Sequence, residues 1–305
     1  MQYAARFDQL WGRYAKEAGA TTGHDWPGFI AWLLARREEL RPATWRQYRA
    51  SVVHALREHE VLAADELIAQ LNQPRLEAGD LRKQLPPRTS SSKSKTLPSA
   101  DLHALADYLH EKSPTWGKLT VRWLACGSLT GLRPTEWQTV QVEFPDADRP
   151  EEDDHLILVV KNAKHDHERA HGAERRVHVY LAQEHWTDFL SFIRDLQAQD
   201  YQEAYTGCRI ALWRAARALW PRRKKQTTLY SSRHQFAADG KSAGLEPTEI
   251  AALMGHSAIE THQVHYGKRR CGRGFIRVEA DEGDVARVEQ RIQQKASAGV
   301  HGMGY

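Results

Sequence analysis

The chain is poor in the features that usually announce a function. Its 305 residues include only three cysteines, Cys126, Cys208 and Cys271, widely spaced and without a CxxC pair. That spacing argues against a disulfide framework and against a thiolate zinc site, and points to a reducing compartment. No apolar run approaches the length of about 20 residues that a membrane span needs, and the start "MQYAARFDQLWGRYAKEAG" has no apolar signal region. A soluble cytoplasmic protein is the expectation. HExxH, the Walker phosphate loop, GxGxxG and GxSxG are all missing, which removes the common zinc protease, NTPase, dinucleotide and hydrolase readings. One charge sign is not in large excess either, the formal net charge being +4.

Apolar material is plentiful, with 41% hydrophobic residues and ten tryptophans, so folded cores are expected and global disorder is not. A chain of this length suggests two domains. Residues 1–75 read as helices only, within a helical domain expected over 1–83. Phe7, Leu10, Trp11 and Tyr14 fall at helical spacing, as do Trp26, Phe29, Ile30, Leu33 and Leu34, and Pro42 suits a first helical turn ahead of the stripe Trp45, Tyr48, Val52 and Leu56. The stretch "QLPPRTSSSKSKTLPSADL" then breaks the helical pattern, and a basic linker is expected over 84–98. Ser99 is a candidate cap for the helix that follows.

From 99 to 305 the pattern is mixed. Two helices lead to "GLRPTEW", after which "QTVQVEF", "HLILVVKNAK" and "RRVHVYL" alternate as strands of a small antiparallel sheet. Helices return with "QEHWTDFLSFIRDLQ", "CRIALWRAARALW", "SRHQFAADGKSAG" and "PTEIAALMG", and "DVARVEQRIQQKA" closes the chain as an amphipathic stretch. The fold class is therefore mostly α in two domains, a helical N-terminal bundle plus a mixed α+β domain. Trp123, Trp137, Trp186, Trp213 and Trp220 are assigned to packing.

The basic residues come in local groups. Arg46, Arg49 and Arg57 lie off the apolar stripe of their helix, Lys93 and Lys95 sit in the linker, and Arg222, Arg223, Lys224 and Lys225 form a run. Such patches can neutralise phosphates without an extreme overall charge, so they are candidate DNA contacts beside the plainer reading of solvated faces.

The segment "LMGHSAIETHQVHYGKRR" carries His256, His262, His265 and Tyr266. As a zinc site it lacks the usual spacing and any neighbouring thiolate. Together with "TGLRPTEW" and "LYSSRHQF", the segment instead offers two arginines and a tyrosine. Paired guanidinium donors match the non-bridging oxygens of a phosphodiester, and a phenol near pKa 10 needs cationic neighbours or a base to attack phosphorus at neutral pH.

By these motifs, in this order, the sequence resembles the tyrosine recombinase (phage integrase) family over most of its length. The resemblance implies a SAM-like core-binding domain followed by a catalytic domain of the DNA breaking-rejoining type. It implies Tyr266 as nucleophile, Arg133 and Arg233 as the phosphate clamp, Glu136 in support and His256 at the phosphate. Tyr230 stands where the family most often has histidine. The family's lysine, general acid for the leaving oxygen, corresponds to Lys164 or alternatively Lys161. His256 and Tyr266 are one residue further apart than in the commonest members. The implied activity is site-specific recombination through a 3′-phosphotyrosyl intermediate and a Holliday junction, without metal, ATP or other cofactor. The implied partners are a duplex DNA site, a homotetramer on that DNA with exchange of the C-terminal helix, and an accessory DNA-bending protein. A type IB topoisomerase-like or telomere-resolving enzyme, or an inactive DNA-binding descendant, are the alternatives.

Overall fold

The computed structural model describes residues 2–19, 25–74, 92–145, 155–163, 170, 172–256 and 268–301. It divides into two compact units, Met1–Arg88 and Thr89–Tyr305.

Among its described residues the first unit has four α-helices, α1 (Gln2–Ala18), α2 (Trp26–Ala35), α3 (Pro42–Glu58) and α4 (Ala64–Asn72). Each contributes an apolar stripe to one core, with Phe7, Leu10 and Tyr14 meeting Trp26, Phe29 and Ile30, and with Trp45, Val52, Leu56, Leu67 and Leu71 closing it. Asp25 caps α2 by accepting from the Gly28 amide at 3.0 Å, and its other oxygen takes the Tyr14 hydroxyl at 2.7 Å, tying α1 to α2. Pro42 opens α3, where its missing N–H costs nothing. Arg46 and Arg57 are exposed on α3, whereas Arg49 donates to Asn72 Oδ1 at 2.9 Å and so helps hold α4.

The second unit is mixed. Helices α5 (Ser99–Lys112) and α6 (Gly117–Thr130) precede strands β1 (Gln141–Glu143), β2 (His155–Lys161) and β3 (Glu174–Tyr180). Then come α7 (Gln183–Gln197), α8 (Tyr201–Leu219), α9 (Leu229–Ala243), α10 (Pro247–Leu253), β4 (Val278–Ala280) and α11 (Glu282–His301). The strands form one antiparallel sheet in the order β1-β2-β3-β4. Leu156, Leu158 and Val160 of β2 and Val177 and Val179 of β3 alternate onto the buried face and join Trp123, Trp137 and Phe192 in the core.

Several details differ from the sequence reading. Pro98, not Ser99, occupies the cap position of α5, because the Leu102 amide already closes on the Pro98 carbonyl at 3.0 Å. Trp213 is 57% exposed, since α8 buries Ala204, Cys208, Leu212 and Ala215 on the opposite side. Trp220, by contrast, packs against the core as read, half-buried with the Arg223 guanidinium 4.0 Å from its ring centre. Residues 92–97, within the stretch read as linker, are stitched into the second unit. Lys93 bridges Gln226, the Ser94 carbonyl accepts from Ser231 Oγ at 2.8 Å, and the Leu97 amide donates to Gln235 Oε1 at 2.8 Å. Independently of any partner protomer, the C-terminal helix α11 sets Val288 and the partly buried Val285 and Ile292 against Ala251 and Ala252 of α10 within the chain. No described helix is long and apolar enough to cross a membrane.

Gly131 ends α6 in the left-handed region (φ 70°), and a Cβ there would lie 2.3 Å from the Phe236 ring. Gly131→Ala is expected to lower the unfolding free energy by about 2 kcal/mol or more, from combined backbone strain and overpacking. Urea denaturation of the two proteins measures it.

Candidate active site

The local sequence dictates how "TGLRPTEW" turns. Gly131 stops α6, Arg133 is extended, and Pro134 opens a 3-10 turn over Pro134–Gln138. Glu136, at the third position of that turn, reaches back to the Arg133 amide at 2.7 Å, so the motif closes on itself. The remaining capacity of the carboxylate faces inward. It accepts from Arg133 Nη1 at 2.5 Å and from Arg175 Nη2 at 2.8 Å and Nη1 at 3.3 Å, while Arg233 Nη1 lies 3.8 Å away.

Glu136, Arg175 and Arg233 are fully enclosed, and Arg133 is 6% exposed. Burial opposes ionisation of Glu136, but the fields of Arg175, Arg133 and Arg233 outweigh it and hold the carboxyl well below the usual carboxylate range. Three guanidiniums against one carboxylate leave an excess of two positive charges in the described cluster. Backbone carbonyls share the remaining donors. Arg233 donates to the carbonyls of Gly131 and Met254, Arg175 Nε to that of Leu253 at 2.9 Å, and Arg133 Nη2 to that of Gly255 at 3.5 Å.

His256 joins from the end of α10. Its amide bonds the Ala251 carbonyl at 2.8 Å, and its Nε2 lies 3.0 Å from Arg233 Nη2. The side chain is 3% exposed. Arg133, Glu136, Arg233 and His256, which lie in three separate motifs of the sequence, are thus gathered into one contact network. Tyr230 is half-buried one turn before His234 on α9, with the two rings edge to face at 5.4 Å. Burial, then the positive fields of Lys95, Arg233, Lys93 and Lys241, push the His234 imidazole down to about 4, so it is neutral at pH 7.

Lys161 is exposed and pairs in register with Glu174, on the strand face opposite to the one that carries Arg175. Lys164, Tyr266, His262 and His265 lie outside the described residues. Lys93, Lys95, Arg222, Lys224 and Lys225 are exposed, whereas Arg223 is engaged with Asp101. Among the described residues no group of three His, Cys, Asp or Glu side chains is arranged to hold a metal ion.

Two members of the site went unread in the sequence. Arg175 and Asn162 are both buried and bonded to each other. Their signal is one of phase. Arg175 alternates with Val177 and Val179, and Asn162 with Leu156, Leu158 and Val160, so polar side chains occupy positions of the core face. A polar residue in an apolar register requires a buried partner.

Glu136→Gln removes the carboxylate that balances the three arginines among the described residues and is expected to lower stability at pH 7 by about 3–5 kcal/mol. The folded pKa of Glu136 is depressed, so its contribution is complete above the unfolded value near 4.3 and disappears as pH falls through the lower folded value. The stability difference between wild type and Glu136→Gln should therefore stay constant from about pH 8 to pH 6 and shrink below about pH 4, as read by denaturation across that range.

No protein-family model and no curated protein sequence matches the chain. Solved structures do. The chain is similar to the XerA recombinase, at 17% identity and a TM-score of 0.37, over 87% of this chain and 93% of that one. It is also similar to the Tn1549 transposon integrase in complex with a circular intermediate DNA, at 14% identity and a TM-score of 0.40, over 85% of this chain and 94% of that one.

Proposed function

We propose that the protein is a site-specific DNA recombinase of the tyrosine type, a strand transferase that works without metal or ATP. The observation that carries this reading is the buried cluster of Arg133, Arg175 and Arg233 around Glu136, with its two excess positive charges and His256 at its edge. A preorganised cationic cluster of this kind suits a phosphodiester, whose charge grows as phosphorus becomes pentacoordinate.

In the proposed reaction the Tyr266 oxygen attacks the scissile phosphorus while Arg133 and Arg233 hold the non-bridging oxygens. His256 hydrogen-bonds the phosphate or takes the tyrosine proton. The leaving 5′ oxygen is protonated by Lys164, or by Lys161 in its place, and the strand remains attached as a 3′-phosphotyrosine. The 5′ hydroxyl of a partner strand then attacks that ester, restores the phosphodiester and releases Tyr266, passing through a Holliday junction. The number of phosphate ester bonds is unchanged, so no external energy source is required. Arg175 lies behind the clamp and holds Glu136, which suits a role in setting the geometry of Arg133.

Exchange between two duplexes calls for a tetramer on paired sites. The exposed Arg46, Lys93, Lys95, Arg222, Lys224 and Lys225 supply phosphate contacts in this reading. Binding should accordingly weaken by at least tenfold between about 50 and 200 mM salt, as followed by fluorescence anisotropy on DNA flanking the protein's own gene. On a nicked suicide substrate from the same DNA, wild type should form an SDS-resistant adduct, and Tyr266→Phe should form none while still binding. An adduct that survives in Tyr266→Phe would overturn the assignment.

A further inference from the structure

Helix α9 does more than carry Tyr230 and Arg233. Six residues after Arg233, or about 9 Å along the helix axis, its buried Asp239 receives the chain that returns from the Tyr266 segment. The Arg273 amide donates to Asp239 Oδ1 at 2.8 Å, and the Arg273 guanidinium grips Oδ2 through Nε at 3.0 Å and through Nη2. Gln235, one turn earlier, donates through Nε2 to Asp239 Oδ1 and to the Cys271 carbonyl, both at 2.9 Å. Between these contacts Gly272 lies directly on the helix, and a Cβ there would stand 2.2 Å from the Ala238 carbonyl oxygen. The Asp239 side chain is 3% exposed and that of Arg273 26%.

The entry to the same segment is also fixed on α9, through the 3.0 Å contact between Arg233 and His256. Tyr266 lies ten residues after His256 and seven before Arg273 in the sequence. Both ends of its segment are therefore tied to a single rigid element, the one that holds the second arginine. Closing a segment at two points on a rigid support restricts where its middle can be, and a restricted nucleophile gains effective concentration at the phosphate.

Resting on the reading of Tyr266 as nucleophile, we propose that Asp239, acting through Arg273 and seconded by Gln235, is a positioning residue that fixes the exit of the nucleophile's segment on the clamp helix. Its effect is on the rate of attack by a tethered nucleophile, not on DNA affinity or on the clamp.

Single-turnover cleavage of the suicide substrate at saturating DNA separates these effects. Arg273→Ala and Asp239→Asn should each slow adduct formation at least tenfold, and Arg273→Lys should recover part of the rate. A second arm uses hydroperoxide as an untethered nucleophile in a Tyr266→Phe background, where it adds to phosphorus and the 5′ oxygen leaves with a proton. Strand cleavage there should be unchanged to within twofold by Arg273→Ala or Asp239→Asn. Wild-type rates in both variants would overturn the positioning role and leave the proposed function standing. Equal losses in the tethered and untethered reactions would also overturn it, showing general damage to the site. An adduct retained by Tyr266→Phe would remove the proposed function, and this inference with it.

Discussion

One buried carboxylate organises the second unit of this protein. Glu136 closes the turn that presents Arg133, receives Arg175 from the sheet, and lies within 4 Å of Arg233 on α9. Each guanidinium would be costly to bury alone, and together they would repel one another. A single acceptor with two oxygens makes their company tolerable without neutralising it. The surplus positive charge is then a property of the fold, present before any anion arrives, which is the condition under which electrostatic stabilisation needs no reorganisation.

The same arrangement explains why the neighbouring backbone is so constrained. Carbonyls of Gly131, Leu253, Met254 and Gly255 all face guanidinium donors, so the end of α6 and the end of α10 are fastened to the cluster through main-chain atoms. Where those carbonyls lie depends on where each helix stops, and at Gly131 and Gly255 the stop takes a left-handed backbone, φ 70° and 61°.

Much of this was legible in the sequence because the motifs are local. "TGLRPTEW" contains its own helix stop, its own proline start and its own capping carboxylate, so its shape follows from eight consecutive residues. The helical stripes of the first unit and the alternation of β2 and β3 are periodic and could be read for the same reason. Arg175 was missed because its role depends on a partner 39 positions away, and only its phase against Val177 and Val179 hinted at burial. β4 was missed because three residues carry no periodicity, and their strand character comes from pairing with β3. Trp213 was misplaced for the opposite reason: an aromatic side chain suggests a core, but the small residues of α8 decide which side is inside.

The late pairing of β4 also bears on how the chain can be shortened. Val278–Ala280 covers the outer edge of β3, and α11 then folds over α10, with buried Asp284 accepting from the Arg176 amide at 2.8 Å. Remove everything after residue 277 and β3 becomes a bare sheet edge, with backbone donors and acceptors open to any passing strand. Such a fragment would be a template for aggregation. The last two dozen residues in this structure behave as a selvedge, finishing a sheet that would otherwise fray into its neighbours.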